Sequence, residues 1–414
     1  MTNVTRPYDL HQQVFLLSIL SNAVNSINDV GTEAELSAKL WTTMSLLIGL
    51  NKDSIGDWKI VWGPSVREVL KFGIVNNVMA VLRKQDERDG IVYVVVVGAT
   101  NPDSVYDWFV EDFAVFRQVD FPGGRNGEKI SHATGIGLEM LLSLSSPPDG
   151  AVCEPPQPQV SLHAFLASVH DARTAKLIFT GHSLGGALSP ALALYFTQEN
   201  SPAGPFGPWG QVLTYPTAGA TPGNQAFADL YADYFPAEPA GGMPYRHWNT
   251  LIWNDLDVVP HAWVPADLLA CPTLYNPDPP PNLEIAALVL AGVLKLRGYE
   301  YTRLENEKLK GTKEPIKGRD WASYLAEMGE QHVAAYFKLL GVPEWAPPPP
   351  PFHARPLISW QAKQQHVNAA REKRCLPIIT PADADPMAHL AQRYPAELSA
   401  GREVQAELRE LSGK

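Results

Sequence analysis

The sequence predicts an α/β domain built on a mostly parallel sheet. Three observations carry this. The run Val92-Tyr93-Val94-Val95-Val96-Val97 is apolar at every position, the pattern of a strand covered on both faces. Strand-like runs recur at 175–180, 211–215 and 245–253, and helix-like segments at 136–144, 160–170 and 186–198 alternate with them. One strand-like run also leads through a Gly-x-Ser-x-Gly turn directly into an Ala- and Leu-rich helical segment.

In chain order, 8–50 reads as two helices, with Leu10, Val14, Leu17 and Leu20 at helical spacing. Residues 78–82, a polar turn at 85–90 and the run at 91–97 form a hairpin that feeds the central strand. Four prolines between 276 and 281 introduce an apolar segment at 285–296, and 347–351 is five consecutive prolines, a stiff extended spacer. The expected organisation is an N-terminal helical extension (1–54), one large α/β domain (55–345), and a proline-rich spacer with a partly helical tail (346–414). The tail carries no identifiable chemistry, though it could dock a protein partner.

Composition limits the function. Of 414 residues, 45% are hydrophobic and 19% charged, which suits a folded chain. The net charge of −11 repels a polyanion, so nucleic acid is a poor partner. Cys153, Cys271 and Cys375 are too far apart for a metal motif and too few for a disulfide framework, so no metal is expected. No apolar run reaches the roughly 18 residues of a spanning helix. The apolar stretch 14–20 has no cationic cluster ahead of it and no small-residue cleavage site behind. The expectation is a cytoplasmic protein, or one exported without a conventional signal peptide. Its oligomeric state is not legible.

The chemistry centres on Thr180-Gly181-His182-Ser183-Leu184-Gly185-Gly186. A serine on a tight strand-to-helix turn projects from the sheet, and glycines two residues either side let the backbones approach. Its hydroxyl needs a base. In this architecture the chain order is Ser, acid, His, which rules out His11, His132, His163, His170 and His182. His332, at a helix start beyond the sheet-like region, is the first choice. His261, four residues after the best acid, is the rival. Asp257 follows the strand-like 245–253 and is preferred to Asp255, because Val258-Val259-Pro260 behind it should hold it in place. Spacings of 74 and 75 residues leave room for a strand and a helix in each gap.

These residues resemble the fungal-type (class 3) lipase family. The match comprises Gly181 to Gly186, the run Pro222-Gly223-Asn224-Gln225-Ala226-Phe227-Ala228, Asp257-Val258-Val259-Pro260, and His332 with Tyr336-Phe337, over about residues 55–340. The resemblance implies an α/β-hydrolase fold, a Ser183/Asp257/His332 triad and cofactor-free hydrolysis of acylglycerol-type esters. It also implies an oxyanion hole from the amides of Leu184 and Ala99, the latter just after the central strand. This chain departs from the family there: Val97 stands for the usual Arg, and Ala99 for the usual hydroxyl residue, which leaves Thr100 as the nearby hydroxyl.

The substrate would be a lipid or other ester, at a membrane or lipid-droplet surface. His182, Thr100, Trp108 and Phe109 are candidate substrate contacts. The aromatic stretch 101–116 and the segment 277–297 are candidate lids, each with a plain core reading beside it. A phospholipase A or a short-chain esterase fits the same residues. A non-catalytic lipid- or partner-binding protein on this scaffold is the alternative of another class.

Overall fold

The β-hairpin that opens the sheet is set by its turn, where Gly90 takes φ 74° and the Asp86 carboxylate accepts the Asp89 amide at 2.7 Å. Around it, a computed structural model describes residues 7–23, 32–68, 75–98, 117–147, 159–198, 206–280, 282–313, 319–343 and 395–412. Strands β1 (Lys59–Glu68), β2 (Val75–Asp86) and β3 (Gly90–Gly98) pair antiparallel. Beyond β3, strands β4 (Lys176–His182), β5 (Gln211–Thr217), β6 (Leu251–Asn254) and β7 (Asn306–Leu309) add in parallel, each beside its predecessor, to complete a seven-stranded sheet. The prediction of an α/β architecture with a mostly parallel sheet therefore holds.

Alternation along β3 divides the core. Val92, Val94 and Val96 point to one face, where they meet helices α1 (Leu10–Leu20) and α2 (Glu33–Ile55). Tyr93, Val95 and Val97 point to the other, against α3 (His132–Leu142), α4 (Leu162–Ser168), α5 (Leu184–Thr197) and α6 (Gln225–Tyr234). Helix α1 starts at an Asp9–Gln12 capping box, and all eleven of its residues are buried. Its place is inside the core, over β3, β4 and β5.

One expected strand is broken. Residues 245–253 yield a two-residue piece, His247–Trp248, paired with Glu238–Pro239, and then β6. Between them Asn249 takes φ 63°, where its side chain accepts the Thr214 amide and donates to the Pro236 carbonyl. An asparagine can adopt this left-handed conformation and serve the backbone itself, so the ladder is interrupted here.

After β6 come α7 (Pro265–Ala270), α8 (Leu283–Arg297), α9 (Trp321–Gly329), a π-helical turn at Glu330–Ala334, α10 (Ala335–Leu339) and α11 (Pro395–Ser412). Helix α8 lies within the segment 277–297 considered above as a lid. Nine of its residues are buried, and α7 and α11 pack on it. The α8–α11 contact depends on two glycines. A Cβ on Gly292 would lie 1.6 Å from the Glu397 carbonyl oxygen, and one on Gly401 would lie 1.8 Å from that of Leu288. Gly292→Leu is expected to release 395–412, read as lost hydrogen-exchange protection of that helix. Lys295→Ala is expected to leave the melting temperature nearly unchanged, because its ion pairs with Glu403 and Glu407 are exposed.

The buried His11 sets an acid limit on stability. It stacks on Trp248 with ring centroids 3.8 Å apart, and burial lowers its pKa to about 4, Asp9 opposing and Arg246 and His247 reinforcing the shift. A folded value below the unfolded 6.5 means that the folded state resists a proton the unfolded chain accepts. This contribution is complete above pH 6.5 and is lost as pH falls towards 4. Urea midpoints should therefore fall between pH 6.5 and 4.5, and His11→Phe should flatten that slope.

Candidate active site

The site is built at the C-terminal ends of the parallel strands. Ser183 follows β4 at φ 62°, ψ −126°, a conformation that side chains other than glycine rarely adopt. The turn is held by the Ser183 amide, which donates to the Thr217 carbonyl of β5 at 3.1 Å. Its glycines are required by close approach. A Cβ on Gly181 would lie 2.3 Å from the Gly185 backbone, and one on Gly185 would lie 2.2 Å from the Val97 carbonyl oxygen. Val97 is buried in the core against α5.

Ser183 is half-buried, with its Oγ 2.7 Å from His332 Nε2. His332 Nδ1 lies 3.0 Å and 2.9 Å from the two carboxylate oxygens of Asp257. Asp257 is fully buried, so its charge needs donors, and it has them. Besides the imidazole, the Val259 amide donates to Oδ1 at 3.1 Å and the Tyr336 hydroxyl to Oδ2 at 2.8 Å. With Nδ1 protonated towards Asp257, Nε2 faces Ser183 as an acceptor. Such an arrangement can take the hydroxyl proton and hold the resulting imidazolium.

The acid loop is braced from several sides. Tyr336 also accepts the Asn254 amide at 3.0 Å, and burial beside Asp257 drives its own ionisation well above the ordinary tyrosine value, so it remains a hydroxyl donor. Asn254 Nδ2 donates to the carbonyl and side-chain oxygens of Gln331, tying the end of β6 to the helix of the base. Arg303 lies 4.2 Å from the Trp253 ring centroid and donates to the Pro260 carbonyl and to Asp267.

Ser183, Asp257 and His332 are thus brought together, while their rivals are engaged elsewhere. His261 Nδ1 bonds the Asp257 carbonyl at 2.7 Å. Asp255 accepts from the Gly311 amide and pairs with Lys310. Leu184 is the first residue of α5, so its amide has no intrahelical acceptor and sits at the positive end of the helix dipole. Ala99, Thr100, Trp108, Phe109 and the candidate lid 101–116 lie outside the described residues. His182, expected among the substrate contacts, has both ring nitrogens engaged within the protein: Nδ1 with Thr217 Oγ1 at 2.9 Å and Nε2 with the His332 carbonyl at 2.7 Å.

Sequence reasoning missed Thr217, Asn254 and Gln331, and named Tyr336 without assigning it a contact. Tyr336 had one usable signal, its place four residues after His332 near one helix face. Among the described residues no cluster of His, Cys, Asp and Glu could hold a metal ion, and no helix is long and apolar enough to cross a membrane.

No curated protein matches the chain. The chain is similar to M37 lipase at 27% identity and a TM-score of 0.65, covering 86% of this chain and 99% of that one. It also aligns with the Rhizomucor miehei lipase propeptide complex at 15% identity and a TM-score of 0.42, covering 82% of each chain. A triacylglycerol lipase from Penicillium expansum aligns at 13% identity and a TM-score of 0.35, covering 82% of this chain and 100% of the other. Residues 156–266, which include the serine turn and Asp257, match the family model described as Lipase (class 3). The chain has an α/β-hydrolase fold, and over residues 156–266 it is similar to the class 3 lipases.

Proposed function

We propose that this protein is a serine carboxylester hydrolase, a lipase acting on acylglycerol-type esters through an acyl-enzyme. The observation that carries the reading is the unbroken hydrogen-bonded chain from Asp257 through His332 to Ser183 at the head of α5. Ser183 Oγ attacks the ester carbonyl carbon as its proton passes to His332 Nε2. The carbonyl oxygen becomes an oxyanion, held by the amides of Leu184 and Ala99. Collapse of the tetrahedral adduct breaks the bond to the alcohol oxygen, which takes the proton from Nε2. Water then attacks the acyl-serine, giving its proton to the same imidazole, and the fatty acid leaves as Ser183 Oγ is reprotonated. Asp257 orients the ring throughout and stabilises its charged form.

The triad does not set chain length, which depends on the groove that receives the acyl chain. The test is hydrolysis of nitrophenyl esters from acetate to palmitate, beside the Ser183→Ala protein. Rates that rise with chain length and vanish in the variant support the lipase, and glycerides against phospholipids then separate it from a phospholipase A. A short-chain maximum favours a general esterase. Absence of serine-dependent turnover at every length would leave a binding protein on a hydrolase scaffold.

A further inference from the structure

The residue before Ser183, His182, has both ring nitrogens engaged within the protein, and one of them reaches the backbone of the base. His332 sits in the π-helical turn between α9 and α10, a local widening of the kind that recurs at functional sites. Its carbonyl oxygen lies 2.7 Å from His182 Nε2. A carbonyl only accepts, so Nε2 of His182 carries the proton. Nδ1 is then the acceptor, and the Thr217 hydroxyl, 2.9 Å from it and 3.3 Å from the Gly181 carbonyl, gives its one proton to the nearer Nδ1. The ring of His182 is buried and enclosed by Phe15 of α1, Tyr336 of α10 and the imidazole of His332.

We propose that His182 is a positioning residue for the base: held in one tautomer by Thr217, it anchors the main chain of His332 so that Nε2 of that residue stays on Ser183. This rests on the hydrolase reading above. The anchor joins three parts of the site, namely the strand end before the nucleophile, the end of β5 and the helix of the base. A neutral anchor also suits the reaction, because the ring centroids of His182 and His332 are 5.1 Å apart and a second cation there would oppose protonation of His332 during turnover. Burial and the neighbouring His332 lower the His182 pKa to about 3, which keeps the ring neutral at working pH.

Three variants test the assignment with a soluble short-chain nitrophenyl ester. In His182→Gln the amide nitrogen reaches about as far as Nε2. In His182→Asn it reaches only as far as Nδ1. Thr217→Val removes the donor to Nδ1 that supports this tautomer. His182→Asn is expected to lower kcat by about 10- to 100-fold with KM within about twofold, as a base displaced from its nucleophile should. The acidic limb of its kcat/KM profile should move as well. Thr217→Val should fall between it and the wild type, and His182→Gln should recover most of the rate. Wild-type kcat in His182→Asn would overturn the proposal. So would equal impairment of the Gln and Asn variants in step with lost thermal stability, which is the mark of mere packing. If the wild type shows no Ser183-dependent turnover, the hydrolase reading fails, and the anchoring is still read by NMR. The downfield Nδ1 proton that His332 shares with Asp257 should be sharp in wild type and broadened in His182→Asn; an unchanged resonance would overturn the anchoring.

Discussion

Ser183→Ala is expected to abolish ester turnover, with a fall on the order of 10⁶-fold in kcat if the triad acts as a unit. It should also end labelling by a fluorophosphonate probe. The protein should remain folded. Ser183 Oγ bonds His332, whereas the turn is held by the Ser183 amide and by the close-packed glycines, none of which the substitution touches. Alanine meets the same strain at φ near 62° that serine does, so the melting temperature should change little. Retained hydrolysis in a folded Ser183→Ala protein would place the chemistry elsewhere.

Asp257→Asn is expected to cost on the order of 10⁴-fold in kcat. An amide in place of the carboxylate offers a donor where Nδ1–H of His332 needs an acceptor, favouring the wrong tautomer and presenting N–H rather than a lone pair to Ser183. It also withdraws the charge that would stabilise the imidazolium. Tyr336→Phe is milder. It deletes one of the donors on Asp257 and leaves the Asn254 amide, now buried beside a ring edge, without its acceptor. About 1–3 kcal/mol of stability and a tenfold fall in kcat are expected for it. Stopped-flow and steady-state rates on one soluble ester, measured beside urea midpoints, separate the two effects. Equal rates in Asp257→Asn and wild type would remove Asp257 from the mechanism.

Where the physics is local, the amino-acid order was mostly enough. The unbroken apolar run 92–97 demanded a strand buried on both faces, and β3 is one because each side of its pleat meets a different layer of helices. Gly-x-Ser-x-Gly between a strand and a helix implied a strained turn, since only glycine lets β3, β4 and α5 approach so closely. The capping residues and the break at Asn249 are also local, but the break was missed because 245–253 keeps an apolar bias that outweighs one asparagine in a periodicity reading.

What the tertiary structure alone decided is which of the chemically competent side chains meet. From the sequence, His261 lay nearer Asp257 than His332 did, yet the loop that carries both turns His261 back onto its own backbone. Across 75 residues, the packing of α10 against the end of β6 brings His332 to the carboxylate. The enclosure of His182, the support of Asp257 by Tyr336 and the covering of α8 by a helix more than 100 residues further along the chain are likewise contacts between distant segments. The sequence alone placed most of the elements and the serine turn, because a strand, a turn or a helix is specified within a few neighbouring residues. Tertiary packing chose the serine's partners, because a hydrogen bond is made over about 3 Å of space and is indifferent to separation along the chain.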